Sequence, residues 1–168
     1  MADSFTKTFE KLKRQSFRKS VNKIWGMIKE GQTAELGQEE LKLWHILLDH
    51  QEYHEHFENN DVLDGSEYEL NEGFNPFLHI SLHQMAEDQI TLESPIEAAM
   101  LCESIEKMGH TRHEAIHVII MILIHVIFDA FKKDKIFNEE RYLRLLIKCR
   151  KVPISEMQSV VERDFTSN

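Results

Sequence analysis

Histidine is the residue whose number and spacing in this sequence could do chemistry. The chain has ten His among 168 residues. Three pairs are separated by four positions: His50 with His54, His79 with His83, and His113 with His117. In a helix this spacing places two side chains about 6 Å apart on one face, so that both rings can reach a cation at about 2.0–2.1 Å. The pairs therefore predict a bound divalent transition metal, with zinc and iron as the candidates.

The pair His79 and His83 and the pair His113 and His117 are expected to meet in the folded chain. If their helices are connected through one intervening helix by short loops, they run parallel and their first turns lie at the same level. We therefore predict a site of four histidines, with one carboxylate as fifth ligand or catalytic base: His79, His83, His113, His117 and Glu114. Residues expected to orient these ligands or to add to them are His50, His54, His125 and Glu87.

The run from His113 to His117 also reads HExxH, the motif that supplies two zinc ligands and a general base in zinc peptidases. No third histidine follows at the spacing of the metzincin proteases. Thr111 and Glu114 in addition match a capping box, in which the carboxylate binds the amide of the residue that begins the helix. A zinc peptidase is therefore the lesser alternative, and Glu114 is left open between a helix cap and a functional carboxylate.

Long helices must position these residues. Six Gly and three Pro are too few for the frequent turns of an all-β protein, and no segment alternates with period 2. We predict an all-α, single-domain bundle of about six helices, whose core covers residues 32–150. A basic amphipathic helix over residues 1–31 packs on this body, and residues 151–168 form a short helix or a frayed tail.

Cap residues mark where several helices begin. The second helix is predicted from Gln38 to Phe57, followed by an ordered loop to Asn75. Later helices are predicted to start at Asn75-Pro76, Ser94-Pro95, Thr111 and Asn138, because each offers a side-chain cap or an early proline. The apolar run 115–128 is about 14 residues long, where a membrane span needs about 20, so we predict a buried central helix and no transmembrane segment.

The net charge and its distribution along the chain indicate which kinds of partner the protein could bind. The net charge of −9 makes nucleic acid an unsuitable partner, because phosphate backbones are bound by clustered Lys and Arg. Residues 1–30 carry eight bases and three acids, whereas residues 31–110 carry two bases and eighteen acids, so the basic helix is expected to dock on the acidic body. The two cysteines have no ligand-like spacing, and no signal peptide is recognised, which together predict a cytoplasmic protein. A protein partner or a homo-oligomer is left unspecified.

Three motifs resemble an uncharacterised bacterial family that is known only as a domain of unknown function. Residues 75–83 read NPFLHISLH, close to the family's NPFLHxxLH, and residues 50–54 and 113–117 are similar to its HPEYH and HEAEH. The resemblance covers roughly residues 20–147 and implies a bacterial origin, but no reaction. The chain departs from the pattern at Gln51 and Ile116, and at Met121 and His125, where the family has carboxylates. These departures weigh against a dinuclear carboxylate site.

The sequence therefore leads to two hypotheses of different classes. The first is a histidine-rich helical bundle that binds a divalent transition metal, with its reaction unknown and catalysis left open. The alternative is a non-enzymatic structural or protein-interaction module whose histidines pack in the core.

Overall fold

The computed structural model describes residues 17–32, 36–58 and 75–166, and these residues contain helices and no strands. Helix α1 covers residues 17–30. The other helices are α2 (Gln38–Asp49), α3 (His54–Glu58), α4 (Pro76–Thr91), α5 (Ile96–Lys107), α6 (Arg112–Lys132), α7 (Glu139–Cys149) and α8 (Ile154–Thr166). The predicted all-α class is confirmed. The described residues contain eight helices instead of the predicted six or so, because the second predicted helix is divided in two and residues 154–166 form α8.

The division of the second predicted helix occurs at His50. An uninterrupted helix from Gln38 to Phe57 was the wrong prediction, since α2 ends at Asp49 and a 3₁₀ turn, Gln51–Tyr53, precedes α3. In an α-helix the carbonyl of Ile46 would accept from the amide of His50. Here the His50 ring donates to that carbonyl through Nδ1 at 2.6 Å, and the His50 amide bonds Leu47 instead. The side chain thus takes the acceptor that a continuing helix would need.

Most of the other predicted helix boundaries are confirmed. Asn75 caps α4 through a hydrogen bond from the Leu78 amide, and Asn138 caps α7 in the same way. The predicted cap at Ser94 is wrong: Pro95 is extended, with φ −77° and ψ 151°, and α5 begins at Ile96 without a side-chain cap. Ser94 therefore lies one residue too early to reach the first turn. The predicted loop before Asn75 falls mainly on residues 59–74, outside the described residues.

The chain divides into two compact units, Met1–Gln84 and Met85–Asn168, and the boundary falls within α4. In the first unit, α1, α2 and α3 form a core with the start of α4. The buried residues of this core are Val21, Ile24, Trp25, Leu43, Trp44, Ile46, Leu47, Phe57, Phe77 and Ile80. Gly31 follows the last residue of α1 with a φ of 68°, which suits glycine, and the Gln32 amide donates to the Met27 carbonyl at 3.0 Å. Residues 1–16 of the predicted basic helix lie outside the described residues.

In the second unit, α6 packs against α5, α7 and α8. It buries one side heavily, with Ala115, Ile119, Ile122 and Leu123 at or near zero exposure. By length and composition, α6 is also the one helix in the described part of the chain that could cross a membrane. Half of its apolar window is buried within the protein, as a core helix would be, so there is no clear transmembrane segment.

Helix α8 is held to α7 by a buried ion pair. The guanidinium of Arg141 is stacked on the ring of Phe165 at 3.7 Å and donates to the Asp164 carboxylate at 2.9 Å. Lys148 contacts the other oxygen of Asp164 at 2.8 Å. Burial opposes ionisation of Asp164, but the hydrogen bonds from Lys148 and Arg141 outweigh it and lower the pKa to about 2. The end of the chain is therefore a docked helix, at least as far as Thr166.

Candidate metal centre

Among the described residues of the first unit, His50 is the most deeply buried polar side chain. Its exposed fraction is 0%. Because Nδ1 donates to the carbonyl of Ile46, the proton of a neutral ring must be on Nδ1, and Nε2 carries the lone pair. A backbone carbonyl that fixes the tautomer and the ring orientation in this way is the usual support of a metal-bound histidine.

Two imidazoles from α4 face this lone pair. The Nε2 atoms of His79 and His83 lie 3.1 Å and 3.0 Å from Nε2 of His50. His79 and His83 are one helical turn apart, with ring centroids separated by 4.7 Å, as their spacing predicted. His83 is 1% exposed, whereas His79 is half-buried. Three ring nitrogens therefore converge within the first unit.

Tyr53 closes one side of this group. Its ring is stacked on His50 at a centroid distance of 5.7 Å and meets the His79 ring edge-on at 5.5 Å. Burial raises the pKa of the Tyr53 hydroxyl, with a smaller contribution from Glu52. The sequence analysis missed this residue; the signal available was its position between His50 and His54, on a turn that was predicted to be helix.

The third pair lies in the second unit, at the start of α6. The rings of His113 and His117 have centroids 4.3 Å apart, so the two imidazoles lie on one face, as predicted. His113 is half-buried. The described part of the chain therefore includes histidines that could hold a metal ion.

Glu114, the central residue of HExxH, caps the helix. Its carboxylate accepts from the Thr111 amide at 2.8 Å and from the Thr111 hydroxyl at 2.9 Å, while the Glu114 amide donates back to that hydroxyl at 3.2 Å. The hydrogen bonds from the backbone and side chain of Thr111, and one from His110, lower the pKa of Glu114. The predicted capping box is confirmed, and it uses the carboxylate that a peptidase would need as its base.

A protein-family model matches most of the chain. The model of the domain of unknown function DUF1841 matches residues 13–148. The chain belongs to this family. No curated protein and no solved structure matches the chain. All three histidine pairs lie inside the range matched by DUF1841, so they belong to the family domain rather than to an extension of it.

His125, which the sequence analysis gave as a possible additional ligand, has local partners. His125 lies two turns after His117 on α6, and its Nδ1 donates to the carbonyl of Met121 at 2.8 Å. Its ring lies 5.5 Å from that of Phe165 on α8. His125 therefore contributes to the packing of α8.

The other predicted supporting residues have partners of their own. His54 lies against Trp25, with ring centroids 4.3 Å apart, and its Nε2 bonds the carbonyl of Leu47 at 3.1 Å. Glu87 accepts from Arg112 at 2.7 Å, and this hydrogen bond raises the pKa of the guanidinium. His54 thus packs in the first core, and Glu87 holds the start of α6 to α4.

Both cysteines are free and buried. Burial raises the pKa of the Cys102 and Cys149 thiols to about 11, so neither is a thiolate at neutral pH. Neither cysteine therefore offers a thiolate ligand at neutral pH.

Proposed function

We propose that this protein binds one divalent transition metal through His50, His79 and His83 of the first unit, and that His113 and His117, which the sequence predicts as ligands, complete the set. A ring nitrogen of each histidine is the ligand atom. Compared with the prediction from the sequence, His50 moves from a possible extra ligand to a ligand, and Glu114 leaves the set.

The observation that carries the proposal is the crowding of nitrogens at His50. An imidazole nitrogen has one lone pair in the plane of its ring, and it accepts one hydrogen bond well. Nε2 of His50 has two nitrogen neighbours, at 3.0 Å and 3.1 Å, and its single lone pair can accept a hydrogen bond well from only one of them. A cation placed between the nitrogens satisfies them together, because each ring then directs its own lone pair at the ion.

The distances are also suitable for a metal. If each nitrogen is about 2.0–2.1 Å from the ion, a separation of 3.0–3.1 Å corresponds to an angle of about 90–100° at the metal. This angle is smaller than that of a tetrahedron. It suits imidazoles gathered on one side of the ion, with positions left for further ligands. Neutral imidazole favours zinc, iron, copper and nickel over magnesium or calcium, so zinc and iron remain the first metals to test.

The proposed ligand set does not need Glu114, whose carboxylate is engaged by Thr111. Metal bound mainly by neutral histidines keeps most of its positive charge, which would polarise a bound water or another small ligand. The proposal therefore covers metal binding and leaves the reaction open.

The test is elemental analysis of protein purified without an affinity tag, together with titration of the metal-free protein with zinc and with ferrous iron. We expect about one metal per chain in the wild type, and its loss in His83→Ala and in His117→Ala. His45→Ala is the matched control, because His45 is exposed and lies on the same helix as the His50 junction.

Two results would overturn the proposal. One is a folded wild type that takes up neither metal. The other is uptake that falls by the same amount in the control as in the two ligand variants, since metal would then be bound by surface histidines. Circular dichroism of each variant shows that it is folded, and His117→Ala guards against loss of the fold in the more deeply buried His83→Ala.

A further inference from the structure

The connection between α6 and α7 presents large apolar side chains to solvent. Phe131, Ile136 and Phe137 are 72%, 90% and 40% exposed. Phe137 also lines a pocket of about 450 Å³ together with Met85 and Ile127, which are themselves partly exposed. We call these five residues the α6–α7 patch. Exposed apolar side chains that cluster in this way mark surfaces that bind something.

The backbone holds this patch in a defined position. Two residues after the end of α6, Asp134 has a φ of 49°, and the amide of Lys135 donates to the carbonyl of Ala130 at 2.9 Å. The Lys133 ammonium pairs with Asp129 at 2.9 Å. The exposure of Ile136 and Phe137 is therefore built into the end of a helix, and residues 131–140 are exposed without interruption.

The charged residues before and after the apolar pair make the segment 132–140 complementary to a second copy of the same segment. Lys132 and Lys135 come before the apolar pair at 136–137, and Glu139 and Glu140 follow it. All four charged side chains belong to exposed residues. Two copies of the segment, antiparallel around a two-fold axis at the apolar pair, would place the lysines of each beside the glutamates of the other. A two-fold interface requires self-complementarity of this kind.

We propose that the α6–α7 patch is a homodimer interface and that its occupant is a second copy of this chain. The apolar side chains form the centre of the interface, and the lysines and glutamates form its rim and fix the antiparallel arrangement. Because the patch contains few residues, the dimer is weak and dissociates on dilution. The interface is independent of the metal, since none of its residues is a histidine.

Sedimentation equilibrium in the presence of a chelator tests the proposal, because metal bridges between copies are then removed. We expect a concentration-dependent dimer whose Kd rises at least about tenfold in Ile136→Glu, since a charge would enter the apolar centre. Ile147→Glu is the matched control: Ile147 is also exposed, but it lies on α7 outside the patch. A wild type that is monomeric at every concentration, or a dimer that Ile136→Glu leaves unchanged, would overturn the proposal and leave the patch to a different partner.

A charge exchange tests the arrangement itself. Replacing Lys132 and Lys135 by Glu, or Glu139 and Glu140 by Lys, should weaken the dimer in each case. Combining the four replacements should restore it, because opposite charges again face each other across the axis. If the combined variant dimerises no better than the two partial variants, the two-fold antiparallel arrangement is wrong.

Discussion

Metal should stabilise the fold by an amount that can be worked out. An ion present at about 100 times its Kd adds about 2.7 kcal/mol to the free energy of unfolding if it binds only the folded chain. For 168 residues the entropy of unfolding is about 0.35 kcal/mol per kelvin, so the thermal midpoint should rise by about 8 °C. In His83→Ala or His117→Ala the rise should fall to about 2 °C or less, because one ligand is gone and the occupancy drops.

The assay is thermal unfolding followed by circular dichroism, on metal-free protein with and without zinc. For each variant, the thermal midpoint with zinc is compared with the midpoint without zinc. The loss of stability that a substitution causes in the metal-free protein therefore does not affect the result. Any binding of zinc by the ten histidines of the unfolded chain reduces the rise in the midpoint, and the control His45→Ala removes one of these histidines as well. An equal shift in the wild type, the control and the ligand variants, or no shift in any of them, would refute the reasoning.

Three further predictions concern the second unit. Glu114→Ala should lower the free energy of unfolding, because its hydrogen bonds to Thr111 are lost, and should leave the metal content unchanged; a metal-free Glu114→Ala would make this carboxylate a ligand. Arg141→Ala should cost about 3–5 kcal/mol in urea unfolding, since it leaves Asp164 buried beside fewer cations, and a cost below about 1 kcal/mol would contradict the buried pair. The pKa of Asp164 is lowered to about 2 from 3.8, so its stabilising contribution is complete above about pH 4 and is lost as the pH falls toward 2. Asp164→Asn should therefore show a flatter dependence of the urea midpoint on pH in that window, and an unchanged slope would exclude this residue as the cause.

Helix starts were accessible from the sequence because their signals are local. Asn75 before Pro76, Thr111 before Glu114, and Asn138 each satisfy amides within three residues of themselves, and no distant part of the chain has to be known. The cap at Ser94 was predicted one residue too early. The exact first residue of a helix depends on backbone angles, which the residue types alone do not determine.

The break at His50 was not accessible in the same way. Helical periodicity describes which face a side chain lies on, and it carries no information on whether a ring will compete with its own amide for a carbonyl. Spacing predicted that His50 and His54 would act as a pair. Instead, the break directs His50 toward the rings of α4 and leaves His54 against Trp25. By contrast, the pairs on α4 and α6 lie inside uninterrupted helices, and there the four-residue spacing was sufficient.

His50 has no exposed surface, and this limits how fast a metal ion can bind to it or leave it. A hydrated ion cannot reach this nitrogen while the surrounding side chains stay in place, so capture and release both require a local opening of the first unit. The rate of metal exchange is then bounded by how often that opening occurs, and it no longer follows from the strength of the metal–nitrogen bonds. The metal proposed for this site is therefore expected to exchange slowly with free metal in solution.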